Sequence, residues 1–184
     1  SRKLKLNNKP IGIDTVSHKD VDKSIDFINK DIFTFFKTNK VKFDLIMIKQ
    51  NLHFFNQDRR IRLVKICKRN LKKNGVLIIL SLNTTNNEIP CFKLMKQKLN
   101  RGLERDAKML KSTCKILKNY KIDKFKFKVS ITTNKYIQML KQKYISCLVN
   151  LSKNQINKGI KEIKDFYPNK IFFEDILISI KYKK

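Results

Sequence analysis

Five aliphatic residues in a row, Val76-Leu77-Ile78-Ile79-Leu80, follow Gly75 directly and constrain the fold more than any other stretch. A strand with one wet face alternates apolar and polar residues, whereas an unbroken aliphatic run suits a strand covered on both faces, as in a parallel sheet. Three shorter apolar runs precede it, at residues 10–14, 25–28 and 43–48. A polar break, Asn29-Lys30-Asp31, separates the second run from another apolar segment at 32–36. From Asp58 to Leu71 the pattern changes to helical spacing. Ile61, Val64, Cys67 and Leu71 lie on one side, with Arg59, Arg60, Arg62, Lys65 and Arg69 on the other. Lys72-Lys73-Asn74-Gly75 then supplies the cations and glycine of a helix end. The order is β, β, β, α, β with short connections, which implies an α/β fold with a parallel sheet flanked by helices.

The remainder reads differently. Apolar residues at 92, 95, 99, 103, 110, 114 and 117 form one stripe of a long helix. Between Cys91 and Lys128 there are 13 basic and 3 acidic residues, mostly opposite that stripe. Phe125, Phe127, Val129 and Ile131 alternate with polar residues, as in a half-exposed strand. Thr133 or Asn134 can cap a helix running to Leu148, and Ser152 one running to Phe166. Tyr167-Pro168-Asn169 stops it, and residues 171–173 and 176–180 read as a final strand or hairpin before a basic tail. No internal repeat or low-complexity linker divides the 184 residues, so one domain is expected.

Lys and Arg number 43 against 15 Asp and Glu, a net charge of +28. Such an excess ordinarily points to a polyanionic partner, through counterion release from phosphates. The composition supplies a second explanation. Lys outnumbers Arg 36 to 7, Ala occurs once and Trp never, which is the profile an AT-rich genome imposes on any protein. Arg, the residue suited to bidentate phosphate and base recognition, is scarce. Nucleic acid therefore remains one reading of the charge and solvated lysines the other. The four cysteines, at 67, 91, 114 and 147, are widely spaced, which argues against a zinc site or disulfide scaffold and suits a reducing, cytoplasmic compartment. No apolar run approaches the length of a membrane span, so no membrane association is expected.

Taken in order, the first ninety residues resemble the middle of a class I S-adenosylmethionine-dependent methyltransferase. Ile11-Gly12-Ile13-Asp14 matches the strand whose terminal acid holds the cofactor ribose, and Asn29-Lys30-Asp31-Ile32 matches the later pair that touches adenine. Phe43-Asp44-Leu45-Ile46 with Leu52-His53 matches the fourth strand and its following loop. Residues 71–80 match the helix end, glycine and strand that come next. Tyr144-Ile145-Ser146-Cys147-Leu148, through Gly159 to Glu174-Asp175, is similar to the end of small-molecule-type members. The resemblance implies a Rossmann-like, mostly parallel sheet with a helical insertion and a C-terminal strand pair. Residues 1–90 would be the cofactor side, 91–150 a variable insertion covering the substrate, and 151–184 the closing helix and strands. It also implies S-adenosylmethionine as cofactor and a small-molecule acceptor. Asp14, Asp31, Ile32 and Lys49 would lie on the cofactor, His53 and Tyr144 on the substrate.

One family feature is missing. The glycines stand at 12, 75, 102 and 159, so no Gly-x-Gly turn can approach the methionine carboxylate. Ser1-Arg2-Lys3 sits where the helix after that turn would end. Either an opening segment has been removed, or a partner chain supplies the missing strand, or the fold is a degenerate one. Gln50-Asn51 replaces the Pro-Pro-Tyr signature associated with methylation of base or glutamine amino groups, which argues against that subclass. The alternative is a noncatalytic methyltransferase-like protein that binds RNA or a ribonucleoprotein through its basic face. Each residue also has a plainer reading. Asp14 and Asp31 suit turns, His53 a packed imidazole, His18 an exposed loop, the basic helix face solvent, and Phe125 and Phe127 the core rather than base stacking.

Overall fold

The computed structural model describes residues 8–17 and 21–184, so Ser1-Arg2-Lys3 and His18 lie outside the described residues. The chain divides into two compact units, Ser1–Lys42 and Phe43–Lys184. In the first, β1 (Ile11–Asp14) and β2 (Asp26–Asn29) pair in parallel with Asp14 opposite Asn29, and α1 (Ile32–Thr38) follows. Asp31 caps α1 with its carboxylate, and Phe33 and Phe35 are the buried residues of that helix.

The second unit holds β3 (Phe43–Lys49), α2 (Gln57–Asn70), β4 (Leu71–Leu82), α3 (Lys93–Leu117), β5 (Tyr120–Thr132), α4 (Thr133–Lys141), α5 (Lys153–Phe166) and β6 (Lys170–Lys183). Its sheet order is β3-β4-β6-β5, with β3 and β4 parallel and the other pairs antiparallel. Residues 76–80 lie at its centre as expected: Leu77 and Ile79 are fully buried and Ile78 and Leu80 half-buried. The α/β class and the parallel pairings therefore hold, with the strands distributed over two sheets. Among the described residues, no helix is long and apolar enough to cross a membrane.

Several boundaries differ from the sequence reading, each for a local reason. Helix α2 stops at Asn70, and residues 71–75 belong to β4 rather than to a helix end. Asn74, at φ 64°, takes the left-handed conformation there. Gly75 serves a close approach instead: an added Cβ would stand 2.9 Å from the Phe43 carbonyl oxygen, where β3 and β4 shift register. Thr132, not Thr133, caps α4, because the Thr133 hydroxyl donates to the Tyr167 carbonyl at 2.7 Å. Helix α4 ends at Lys141 rather than Leu148, with Lys143 turning the chain at φ 53° into a short 3-10 turn, Ser146–Leu148. Residues 171–180 form part of one continuous strand that extends into the basic tail. Phe125 and Phe127, expected in the core, are 50% and 51% exposed, because both faces of β5 are uncovered from Tyr120 to Lys128.

Helix α3 is fixed at both ends. Its predicted stripe is buried throughout, from Phe92 and Met95 to Cys114 and Leu117. At its start the Lys93 amide donates to Glu162 Oε2 at 2.9 Å, placing a carboxylate from α5 on the positive end of the helix. At its other end Lys68 Nζ lies 3.5 Å from the carbonyls of Ile116 and Leu117 and 4.5 Å from the Tyr182 ring. Phe92 also lies flat over Gly159 of α5, within a core that includes Met95, Tyr136, Leu140, Leu148 and Ile163. A side chain at 159 would enter the Phe92 ring. Gly159→Ala is therefore expected to destabilise the protein by about 1–3 kcal/mol despite its better helix propensity. A chemical denaturation midpoint at or above that of the unaltered protein would contradict this packing.

Candidate functional site

The carboxyl ends of β3 and β4 open into a cavity of about 540 Å³ within the second unit. Open parallel strands place ligands at such ends, where loops leave the sheet and backbone groups are unpaired. Gln50 begins the loop after β3 at φ 51°, while its amide still donates to the Leu80 carbonyl at 2.8 Å. A non-glycine residue in that conformation turns the chain sharply. The following 3-10 turn, Leu52–Phe54, buries Leu52 and presents His53 to the cavity. Ser81 and Leu82 form the floor from β4, and α3 supplies a wall from Lys98 to Asp106. Opposite it stand Tyr144 to Cys147 and Asn150.

Tyr144 is held by a defined partner. Its hydroxyl lies 3.0 Å from that of Tyr136, their rings meet edge to face at 5.8 Å, and Tyr136 in turn donates to the Pro90 carbonyl. Burial keeps both phenols well above their ordinary pKa, so they act as neutral hydroxyls. Burial likewise raises the Cys147 thiol to about 11 and Cys91 and Cys67 to about 12, leaving them without thiolate character at neutral pH. Among the described residues, no group of His, Cys, Asp and Glu could hold a metal ion.

His53 has the opposite tendency. Desolvation lowers its pKa, opposed by the Asp106 carboxylate and reinforced by Arg105. Its ring lies 4.1 Å from that of Phe54, and Nε2 is buried without a hydrogen-bond partner. Asp106 is itself 9% exposed, with Arg105 Nη2 at 3.5 Å from its Oδ1. A neutral imidazole in a cavity wall can bind a polar group or accept a proton.

Of the residues singled out from the sequence, His53 and Tyr144 share this cavity, and Lys49 ends β3 one residue before Gln50. Asp14, Asp31 and Ile32 belong to the first unit. Asp14 is the last residue of β1, and its Oδ1 accepts the Val16 amide at 3.0 Å. Asp31 Oδ1 accepts the amides of Phe33 and Thr34 at 3.0 and 3.2 Å, and Ile32 opens α1. The two acids thus stand at the same end of the β1–β2 pair. Lys98, Arg101 and Asp106 were not singled out. Helical periodicity places Lys98 and Arg101 off the buried stripe or at its margin but does not distinguish a cavity from bulk water. Asp106, in contrast, falls on the stripe between Leu103 and Leu110, where a charged residue is itself a signal.

No protein-family model matches the chain, and no curated protein matches it. Solved structures do. A SAM-dependent methyltransferase from Archaeoglobus fulgidus is 18% identical, with a TM-score of 0.50 over 95% of this chain and 75% of that one. The plantazolicin methyltransferase BpumL, in complex with a pentazolic desmethylPZN analog and SAH, is 15% identical, with a TM-score of 0.52 over 100% of this chain and 70% of that one. Its complex with a triazolic analog gives 15% and 0.51, with the same coverage. The chain has the fold of S-adenosylmethionine-dependent methyltransferases.

The His53 environment predicts a titration. Its folded pKa should lie below 6.5, and Asp106→Asn should lower it further by removing the one opposing charge. Because the unfolded imidazole binds its proton more readily, this group stabilises the fold above pH about 6.5. That contribution is lost as pH falls through the folded value. Imidazole proton shifts in an NMR titration would measure both; a folded pKa above 6.5 would contradict the assigned burial.

Proposed function

We propose that this protein transfers a methyl group from S-adenosylmethionine to a small-molecule acceptor held in the cavity beside His53. The observation that carries the proposal is the cavity's position at the carboxyl ends of β3 and β4 in a methyltransferase fold, with the His53 imidazole in its wall.

The described residues fit the nucleoside end of the cofactor. Asp14 and Asp31 stand at the same end of a parallel strand pair, and both are carboxylates, the acceptor groups that suit ribose hydroxyls and an adenine amino group. Asp14 is assigned to the ribose hydroxyls, Asp31 and Ile32 to the adenine, and Lys49 to the cofactor side of the β3 loop. No residue is assigned to the methionine carboxylate, because the sequence has no Gly-x-Gly turn. When bound, the cofactor supplies a methyl activated on a sulfonium, so the protein's work is alignment and exclusion of water. Leu82, Leu99, Leu103 and Ile145 provide dry walls, and the Tyr144 hydroxyl orients the acceptor. His53, whose ring lines the cavity, accepts the proton released by the acceptor's nucleophile, a role that its neutral form at neutral pH leaves open.

A second reading, a noncatalytic protein that binds RNA, draws on the half-exposed Phe125 and Phe127 among Lys124, Lys126 and Lys128 on β5. One calorimetric experiment separates the two. Micromolar binding of S-adenosylhomocysteine, weakened roughly ten- to a hundredfold by Asp14→Ala, supports the methyltransferase. Absence of that binding, together with RNA affinity that falls steeply with salt, would overturn it in favour of the second reading.

A further inference from the structure

The same cavity has an electrostatic imbalance that the methyl-transfer reading does not use. Lys98, Arg101 and Arg105 line it from α3, and Asp106 is the one carboxylate residue among its lining groups. These cations stand three and four residues apart, so they project along a single face of the helix. Like charges at those spacings repel one another and destabilise a helix unless an anion lies among them. Asp106 answers only part of this charge, through Arg105 at 3.5 Å. Neither Lys98 nor Arg101 has an ion-pair partner among the described residues.

Around the charges the site is built for something larger than a solvent ion. The cavity volume of about 540 Å³ is that of a small-molecule pocket. Leu82, Leu99, Leu103 and Ile145 lower the local dielectric and strengthen any charge interaction made beside them. Gly102 lies between Arg101 and Leu103 with nothing within 4 Å of an added Cβ, which leaves a notch in the helix wall next to the guanidinium. Arg101 presents a planar fork that matches a carboxylate or phosphate in bidentate fashion, and Lys98 adds a compact charge one turn away. The His53 ring lines the same space, so an anchored anion would bring the rest of the molecule beside the imidazole.

We propose that the acceptor is a small molecule bearing a carboxylate or phosphate group, and that Lys98 and Arg101, assisted by Arg105, hold that group while its nucleophile faces His53. The inference rests on the methyltransferase reading for the role of acceptor; the anion site itself rests only on the cavity.

The test uses the full chain with two probes, benzoate and inorganic phosphate, followed by amide chemical shifts in 0.15 M salt and compared with S-adenosylhomocysteine binding. Saturable shifts confined to α3 and residues 144–150 are expected with at least one probe. Lys98→Met and Arg101→Met should each weaken that probe about tenfold or more. Lys135→Met and Lys161→Met, exposed lysines elsewhere with the same change in charge, should leave it unaltered. Circular dichroism melts of all four variants separate loss of the site from loss of the fold. Equal weakening by site and control variants would mean nonspecific attraction to a chain of +28 and would overturn the proposal. So would the absence of saturable binding while S-adenosylhomocysteine still binds, an outcome that leaves the methyltransferase reading standing. Anion binding that depends on Lys98 and Arg101, without S-adenosylhomocysteine binding, supports the site and overturns the reading above it.

Discussion

The second unit depends on the fixing of α3. A long cationic helix carries its own penalty: adjacent lysines and arginines repel, and a helix of 25 residues has unpaired backbone groups at each end. Both ends are answered by charge of the right sign from other elements. Glu162 of α5 meets the first amide, and Lys68 of α2 approaches the last carbonyls. Between them the buried stripe packs α3 against α2, α5 and the turn at Ser146–Leu148. These contacts set the helix's rotation, and its rotation decides which cations face the cavity and which face water.

The cavity itself arises from two sharp turns, neither made by glycine. Gln50 and Lys143 both adopt left-handed backbone angles, at 51° and 53°. The first ends β3 and lets the next turn bring His53 over the strand ends. The second ends α4, so that Tyr144 folds back onto Tyr136 while its own amide donates to the Met139 carbonyl at 3.1 Å. Non-glycine residues adopt such angles at a small energetic cost, and they concentrate where a side chain must be aimed. Here both turns aim a side chain into the same space, from segments about ninety residues apart in the chain.

The burial that shapes this space also restricts its chemistry. Cys147 lies in the cavity wall, but desolvation holds its proton, so the thiol is inert at neutral pH. Desolvation pushes His53 the other way, towards the neutral form, and so preserves a nitrogen able to accept. One physical term, the cost of leaving charge out of water, thereby silences an acid and readies a base.

Much of this was legible in the residues alone. The aliphatic run at 76–80 required a covered strand, the spacing from Phe92 to Leu117 required a helix with one buried stripe, and Ser152 required a helix start that Gln155 completes as a reciprocal cap. Such signals are local, because side-chain period and backbone capping act over a few residues. Phe125 and Phe127 were misleading for the same reason: alternation fixes which face a strand residue occupies, not whether a neighbour covers that face. Strand pairing beyond adjacent elements, the division into two sheets and the cationic wall opposite His53 were decided only by the tertiary structure. They depend on contacts between residues distant in sequence, where packing and desolvation are settled by what lies opposite and no local pattern records it.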